Sequence, residues 1–207
     1  MTNEWVPLAL GKDVPAETTR AVIVEDRELV IWRGADGQAH VWTDRCPHRG
    51  MRLSLGFVRD NALNCLYHGW SYAGGGACQR IPAHPDLNVP ASIRAGVHAA
   101  AEAGGMIWSR SGDQEAALPE LPDGTPVCSL MIDADHATIL AVAAPEIRLT
   151  GVQLFSLRHA GADIHIGWHK VQAGKTMLHA VAEGGTAEAA LLLLRDLRTK
   201  AEGRAAA

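Results

Sequence analysis

Residues 20–25 (RAVIVE), 28–33 (ELVIWR) and 38–43 (QAHVWT) are short runs rich in β-branched and aromatic side chains, and Asp36-Gly37 separates the last two. Alternation at a period of two around a tight-turn signal predicts a meander of strands. Trp5-Val6-Pro7 reads as a short strand before it, and residues 61–64 as a brief strand after it. Residues 70–72 then run into Gly74-Gly75-Gly76, a turn, and residues 96–101 and 105–110 read as a closing hairpin with Trp108 inward. Many short strands joined by Gly/Pro turns point to an antiparallel sandwich.

The pattern changes after residue 110. Residues 111–126 are polar and hold Asp113, Glu115, Pro119, Glu120, Pro122, Asp123, Gly124 and Pro126, which reads as a linker or a surface strap. Beyond it, residues 127–132, 138–143, 147–157 and 164–171 read as strands. Gly184-Gly185 precedes Thr186, a helix N-cap candidate, with Glu188 near the positive end of the dipole. Leu191, Leu194 and Leu197 recur at helical spacing, so residues 187–200 are expected as a helix whose Leu stripe packs on a sheet, with 202–207 frayed. The expected class is mainly β: an antiparallel β-sandwich over residues 1–115 and a small α+β lobe over 116–207 that ends in a helix.

Composition narrows the function classes. The chain has 207 residues, 47% of them apolar and 20% charged, as in an ordinary globular protein. A net charge of −4 gives no reason to expect nucleic acid or an anionic membrane as partner. The first residues, Met1-Thr2-Asn3-Glu4, have neither the basic nor the apolar part of a secretory signal. No apolar run approaches the ~20 residues of a membrane span. A cytoplasmic setting is expected, with Cys78 and Cys128 as reduced, buried thiols.

The other two cysteines carry the chemistry. Cys46-Pro47-His48-Arg49-Gly50 is followed, sixteen residues after His48, by Cys65-Leu66-Tyr67-His68-Gly69-Trp70-Ser71-Tyr72. Each half offers one thiolate and one imidazole. Four such ligands suit a [2Fe–2S] centre, where two neutral imidazoles on one iron remove negative charge and raise the potential. They also suit tetrahedral zinc, but the usual second zinc pair is H-x3–5-H on a helix, and both pairs here are followed by glycine.

These motifs resemble the cluster-binding loops of Rieske proteins, most closely the N-terminal domain of ring-hydroxylating and demethylating oxygenases. The flanks Leu53-Ser54-Leu55-Gly56, Gly76-Ala77-Cys78 and Ile81-Pro82-Ala83-His84-Pro85 agree, and the resemblance covers roughly residues 4–120. It implies one [2Fe–2S] cluster per chain, with Cys46 and Cys65 on the buried iron and His48 and His68 on the outer iron. It also places Arg49, Gly50, Tyr67, Trp70 and Tyr72 around the ligands, with Tyr67 and Trp70 shielding the cluster and Tyr72 at the sulfur-bonding tyrosine position. High-potential relatives add a disulfide between the loops and a serine two residues after the second histidine. Tyr67 and Trp70 stand at those places, which implies a midpoint near the low end of the Rieske range, about −150 mV.

The resemblance implies a one-electron carrier or accessory subunit, reduced by a reductase and serving an oxygenase. The alternative is a terminal oxygenase subunit with its own mononuclear Fe(II), held by two His and one carboxylate. That second site is not expected here. Asp133-Ala134-Asp135-His136 matches the first half of the family's motif, but positions 141 and 142 are Ala and Val. His159, Asp163, His165, His169 and His179 have other spacings, and His165 and His169 would lie about 13 Å apart along a strand. A homo-oligomer stays open.

Overall fold

The computed structural model describes residues 4–111, 116–144, 147–184 and 187–205; Asp113, Glu115 and the expected cap Thr186 lie outside them. Along the chain the strands are β1 (Val6–Leu10), β2 (Thr19–Val24), β3 (Arg27–Arg33), β4 (Ala39–Thr43), β5 (Phe57–Arg59), β6 (Ala62–Asn64), β7 (Ser71–Ala73), β8 (Cys78–Arg80), β9 (Val97–Ala103), β10 (Met106–Arg110) and β11 (Thr125–Ile132). Helix α1 (His136–Ala143) follows, then β12 (Ile147–Gly151), β13 (Leu154–His159), β14 (Ala162–Gln172), β15 (Lys175–Glu183) and helix α2 (Ala187–Ala205). The chain is mainly β with antiparallel pairing, as its sequence predicts.

Two compact units form. The first comprises Val14–Ile23 and Arg27–Ala101; the second comprises Met1–Asp13, Val24–Asp26 and Glu102–Ala207. In the first, β9, β4, β3 and β2 lie side by side. Leu29 pairs with Thr43 and Ile31 with Val41, which turns Val30, Trp32 and Trp42 into the core. A smaller sheet runs β5-β6-β7-β8. Its β5–β6 hairpin turns through Asp60 and Asn61, both at positive φ (52° and 53°), the geometry that matches strand twist in a two-residue loop. Its inward residues, Val58, Leu63, Tyr72 and Cys78, join Cys46 and Cys65 in the same core. The two motif cysteines are therefore anchored by apolar packing from both sheets.

In the second unit a five-stranded sheet has the order β11-β15-β14-β13-β12. One face packs Phe155, Leu157, Ile164, Ile166, Leu178 and Ala180 against the helices. On α2 the buried stripe is Ala190, Leu193, Leu194, Leu197 and Ala201. Of the expected leucines, Leu194 and Leu197 are buried and Leu191 is exposed, because the buried face runs through 190, 193, 194, 197 and 201 and position 191 falls outside it. The helix also continues to Ala205, past the expected fraying point at 202, since burying Ala201 ties down its last turns.

Two other expectations are corrected. Residues 138–143 are helix, not strand: Asp135 accepts the Thr138 N–H at 2.8 Å as an N-cap, and Ile139 and Ala143 are buried. Residues 147–157 are not one strand but the hairpin β12–β13, pairing Ile147 with Leu157 and Gly151 with Leu154. Strands β5, β8 and β15 have no counterpart in the sequence reading. The strap is supported by packing: the Trp5 indole donates to the Ala116 carbonyl at 2.7 Å, and Leu118 and Leu121 lie against Leu10, Met106 and Trp108.

Candidate functional site

The two motif loops repeat one backbone design. In the first, the Cys46 N–H donates to the Met51 carbonyl and the Gly50 N–H to the Cys46 carbonyl, at 2.8 Å each. In the second, the Cys65 N–H donates to the Trp70 carbonyl and the Gly69 N–H to the Cys65 carbonyl, at 2.9 Å each. Gly50 and Gly69 both take positive φ, 72° and 67°, where any side chain would be strained. Each loop thus turns on a glycine four residues after its cysteine. The histidine sits at the second position in one loop and the third in the other, so the loops are related in backbone but not in side-chain register.

This geometry gathers the four candidate ligands into two pairs. Cys46 and Cys65 are 3% and 2% exposed, and the Cys46 side chain is a hydrogen-bonding neighbour of Cys65. His48 and His68 meet edge to face with ring centroids 4.7 Å apart. His48 is half-buried and His68 exposed. Thiols lie inside and imidazoles outside.

The neighbours fix this arrangement. Trp70 stacks on His48 (4.2 Å between centroids, 6° between planes), and the exposed Tyr67 lies 3.8 Å from His68. The fully buried Tyr72 places its hydroxyl 3.1 Å from Cys46 Sγ. Burial pushes the Tyr72 phenol well above its ordinary range, with the Cys46 hydrogen bond second. It therefore stays a protonated donor. Burial likewise pushes the Cys65 thiol up, with Cys46 adding to it. His48 is held below the ordinary imidazole range by burial first, then by His68 and Arg49. A neutral imidazole is the form that ligates a metal.

Several supporting residues gave no sequence signal strong enough to find them. Buried Asp44, just before the first loop, accepts from the Ser54 N–H (2.7 Å) and the Ser54 hydroxyl (2.6 Å), closing residues 44–54. Gly56 has no room for a side chain, since a Cβ would sit 2.2 Å from the Asn64 carbonyl oxygen. Pro82 packs over Gly69 of the second loop. The signal for Ser54 and Gly56 was their place in the Leu-Ser-Leu-Gly flank; Asp44 had none.

Residues 4–91 match the family profile described as the Rieske [2Fe-2S] domain. Residues 4–91 belong to the Rieske family. Oxidoreductase NdmD of Pseudomonas putida is 38% identical over 149 residues, 68% of this chain and 25% of that protein. Chlorophyllide a oxygenase of Arabidopsis thaliana is 32% identical over 160 residues, 77% of this chain and 28% of that protein. The chain thus spans about a quarter of the length of these relatives. Among solved structures, Pseudomonas putida CBB5 NdmA aligns with 97% of this chain and 79% of its own, at a TM-score of 0.74 and 18% identity. Dicamba monooxygenase aligns with 92% and 79%, at 0.73 and 19%. These likenesses show that both halves share the fold.

A Rieske domain carries a [2Fe–2S] cluster, and the loops fit one. They supply two buried sulfurs and two outward nitrogens, four donors for two irons, together with a hydroxyl donor aimed at one sulfur. Two adjacent thiols in an apolar core, one with its ionisation opposed by burial, gain when a cationic centre takes their charge.

The candidate residues of the second half do other things. Asp135 caps α1, His136 stacks on Trp168 at 4.4 Å, and Asp133 pairs with Lys175 at 3.0 Å. His165 bonds Glu183 at 3.1 Å. His169 and His179 do come together: His169 Nδ1 lies 2.8 Å from the Pro7 carbonyl and 3.3 Å from His179 Nε2, while His179 Nδ1 lies 2.8 Å from Ser129 Oγ. Among the described residues no three His, Cys, Asp or Glu side chains are arranged to hold one metal ion. No helix among them is long and apolar enough to cross a membrane.

Proposed function

We propose that this protein transfers single electrons through its Rieske cluster, as a carrier or accessory subunit of an oxygenase system. Cys46 and Cys65 would hold one iron of the cluster, and His48 and His68 would hold the other. When bound, the cluster takes up and releases one electron. The observation that carries this reading is the inside–outside division of the four donors, with cysteines buried and imidazoles at the surface. An electron then has a short route through either imidazole to a docked partner, while the apolar core keeps water from the sulfurs. Trp70 holds the His48 ring by stacking, Tyr67 covers His68, and Tyr72 donates to Cys46. Gly50 lets the first loop turn, and Arg49 lies outward beside His48. A reductase supplies the electron and an oxygenase or similar acceptor consumes it, in the cytoplasm. The functional division follows residues 1–115 for the cluster domain and 116–207 for the C-terminal lobe.

The fold shared with dicamba monooxygenase and NdmA over nearly the whole chain favours one second reading, a terminal oxygenase subunit with a mononuclear iron. Metal content separates the two. Purified protein is expected to hold two irons and two acid-labile sulfides per chain and, once reduced, to give one EPR signal averaging near g ~1.9. A third iron per chain would replace the carrier reading with the oxygenase one. His48→Ala or His68→Ala should remove the signal; a variant that keeps it unchanged would refute the ligand assignment.

A further inference from the structure

The chain's charge is divided unevenly. The first unit carries nine arginines, no lysine and six carboxylates, a net charge of +3; the second carries ten cations and seventeen carboxylates, a net −7; together they give the chain's −4. Four of the second unit's cations are lysines. A surface meant only for solvation needs no such exclusion of lysine, whereas arginine is the cation of interfaces.

The placement of these arginines matters more than their number. Arg33 and Arg94 are occupied by backbone carbonyls, Arg52 by Glu28, and Arg59 lies over the Phe57 ring. Arg45 and Arg49, which bracket Cys46-Pro47-His48, are exposed, and their guanidinium groups make no hydrogen bond or ion pair with any described residue. The nearest carboxylate in sequence, Asp44, is buried and committed to Ser54. Residues 45–52 and 65–72 contain three arginines and no acid.

The same tip exposes apolar area. Leu66 and Tyr67 of the second loop are 59% and 57% exposed. Phe57, paired with Asn64 one residue before Cys65, is 45% exposed. An apolar centre with tyrosine, rimmed by unpartnered arginine, has the anatomy of a protein interface rather than of solvated surface.

We propose that the surface formed by Arg45, Arg49, Leu66 and Tyr67 around His48 and His68 docks an acidic redox protein, with partner carboxylates on the two arginines and an apolar contact on Leu66–Tyr67. The inference rests on the electron-transfer reading and adds to it the charge sign of the partner. Salt-sensitive steering by such a patch changes association rates by about 10- to 1,000-fold.

The test uses two protein probes of opposite charge on the full chain. An acidic plant-type [2Fe–2S] ferredoxin, reduced, gives one electron to the oxidised cluster. Oxidised cytochrome c, which is basic, takes one from the reduced cluster. Stopped-flow rates should fall with added salt for the ferredoxin and rise with salt for cytochrome c. In the Arg45→Glu/Arg49→Glu variant the ferredoxin rate should drop at least about tenfold at low salt, while the cytochrome c rate rises. Arg45→Gln/Arg49→Gln should shift both rates in the same senses by a smaller factor, which guards against a folding defect in the reversal. Rates that ignore salt, or that move together in the variants while the g ~1.9 signal is intact, overturn the docking inference and leave the carrier reading standing. Absence of that signal in the wild type overturns the carrier reading itself.

Discussion

At the scale of single residues, Tyr72 shows how one hydroxyl tunes the site. Burial keeps the phenol protonated, and a cluster-bound Cys46 thiolate would have no proton to give, so across the 3.1 Å contact the Tyr72 hydroxyl would be the donor. A donor to a ligating sulfur stabilises the more negative, reduced state. If that bond is worth about 1 kcal/mol more to the reduced form, its loss lowers the midpoint by about 40 mV. Tyr72→Phe should therefore titrate below wild type, itself expected near −150 mV. An unchanged midpoint would show that the hydroxyl does not act on the sulfur. Trp70 stands where high-potential relatives carry a serine, and its ring is occupied in stacking on His48. The four candidate ligands were legible at this scale because ligand chemistry restricts residue type, and the family resemblance already implied cysteines inside and histidines outside. The neighbours that hold them, such as the Asp44–Ser54 clasp, were not, since they depend on how the chain folds back.

At the scale of elements, the site depends on how closely strands approach the loops. Gly56 ends the short 3-10 segment Leu53–Leu55, and its Cα faces the Asn64 carbonyl so closely that a Cβ would overlap it at 2.2 Å. The obstacle is backbone, so it cannot rotate away. Gly56→Ala must push β5 from β6 or shift the turn, at a cost of about 2 kcal/mol or more. Thermal unfolding should reveal the loss, and a variant as stable as wild type would mean the turn relaxes freely. The helix α1 shows the opposite case, where sequence reading failed. Its apolar residues fit a buried strand as well as a short helix, because eight residues are too few for periodicity to decide. Asp135 decides it by capping, and partners on α2 and β13 supply the burial.

At the scale of the molecule, the titration of two non-ligand histidines belongs to the first unit alone. His40, stacked on Trp32 at 4.2 Å, is held below the ordinary imidazole range by burial, with Asp36 opposing. His98, bonded to Thr43 Oγ1 at 3.1 Å, is held down by burial first and Arg27 second. Both folded-state values lie below the unfolded value of about 6.5. Protons then bind the unfolded chain more tightly, so the contribution of these groups is full above that pH and falls as pH drops through the window beneath it. Stability of the first unit should decline from pH 7.5 to pH 5.5, and His40→Phe should flatten the decline. A slope unchanged in that variant would place the acid sensitivity elsewhere.

The sequence by itself determined the cluster chemistry, the mainly antiparallel β class, the meander β2–β4 and the C-terminal helix. Each is written locally, in ligand spacing, two-residue alternation or a helical leucine stripe. Three-residue strands such as β5 and β8 are too short to carry a period, and β15 alternates too weakly between Met177 and Ala182 to stand out. Tertiary structure alone decided which leucines of α2 face the sheet and where β12 and β13 fold back. It alone paired His169 with His179 across β14 and β15, and left Arg45 and Arg49 without a counter-charge. These outcomes depend on contacts between residues far apart in the chain, whose energies no local pattern records.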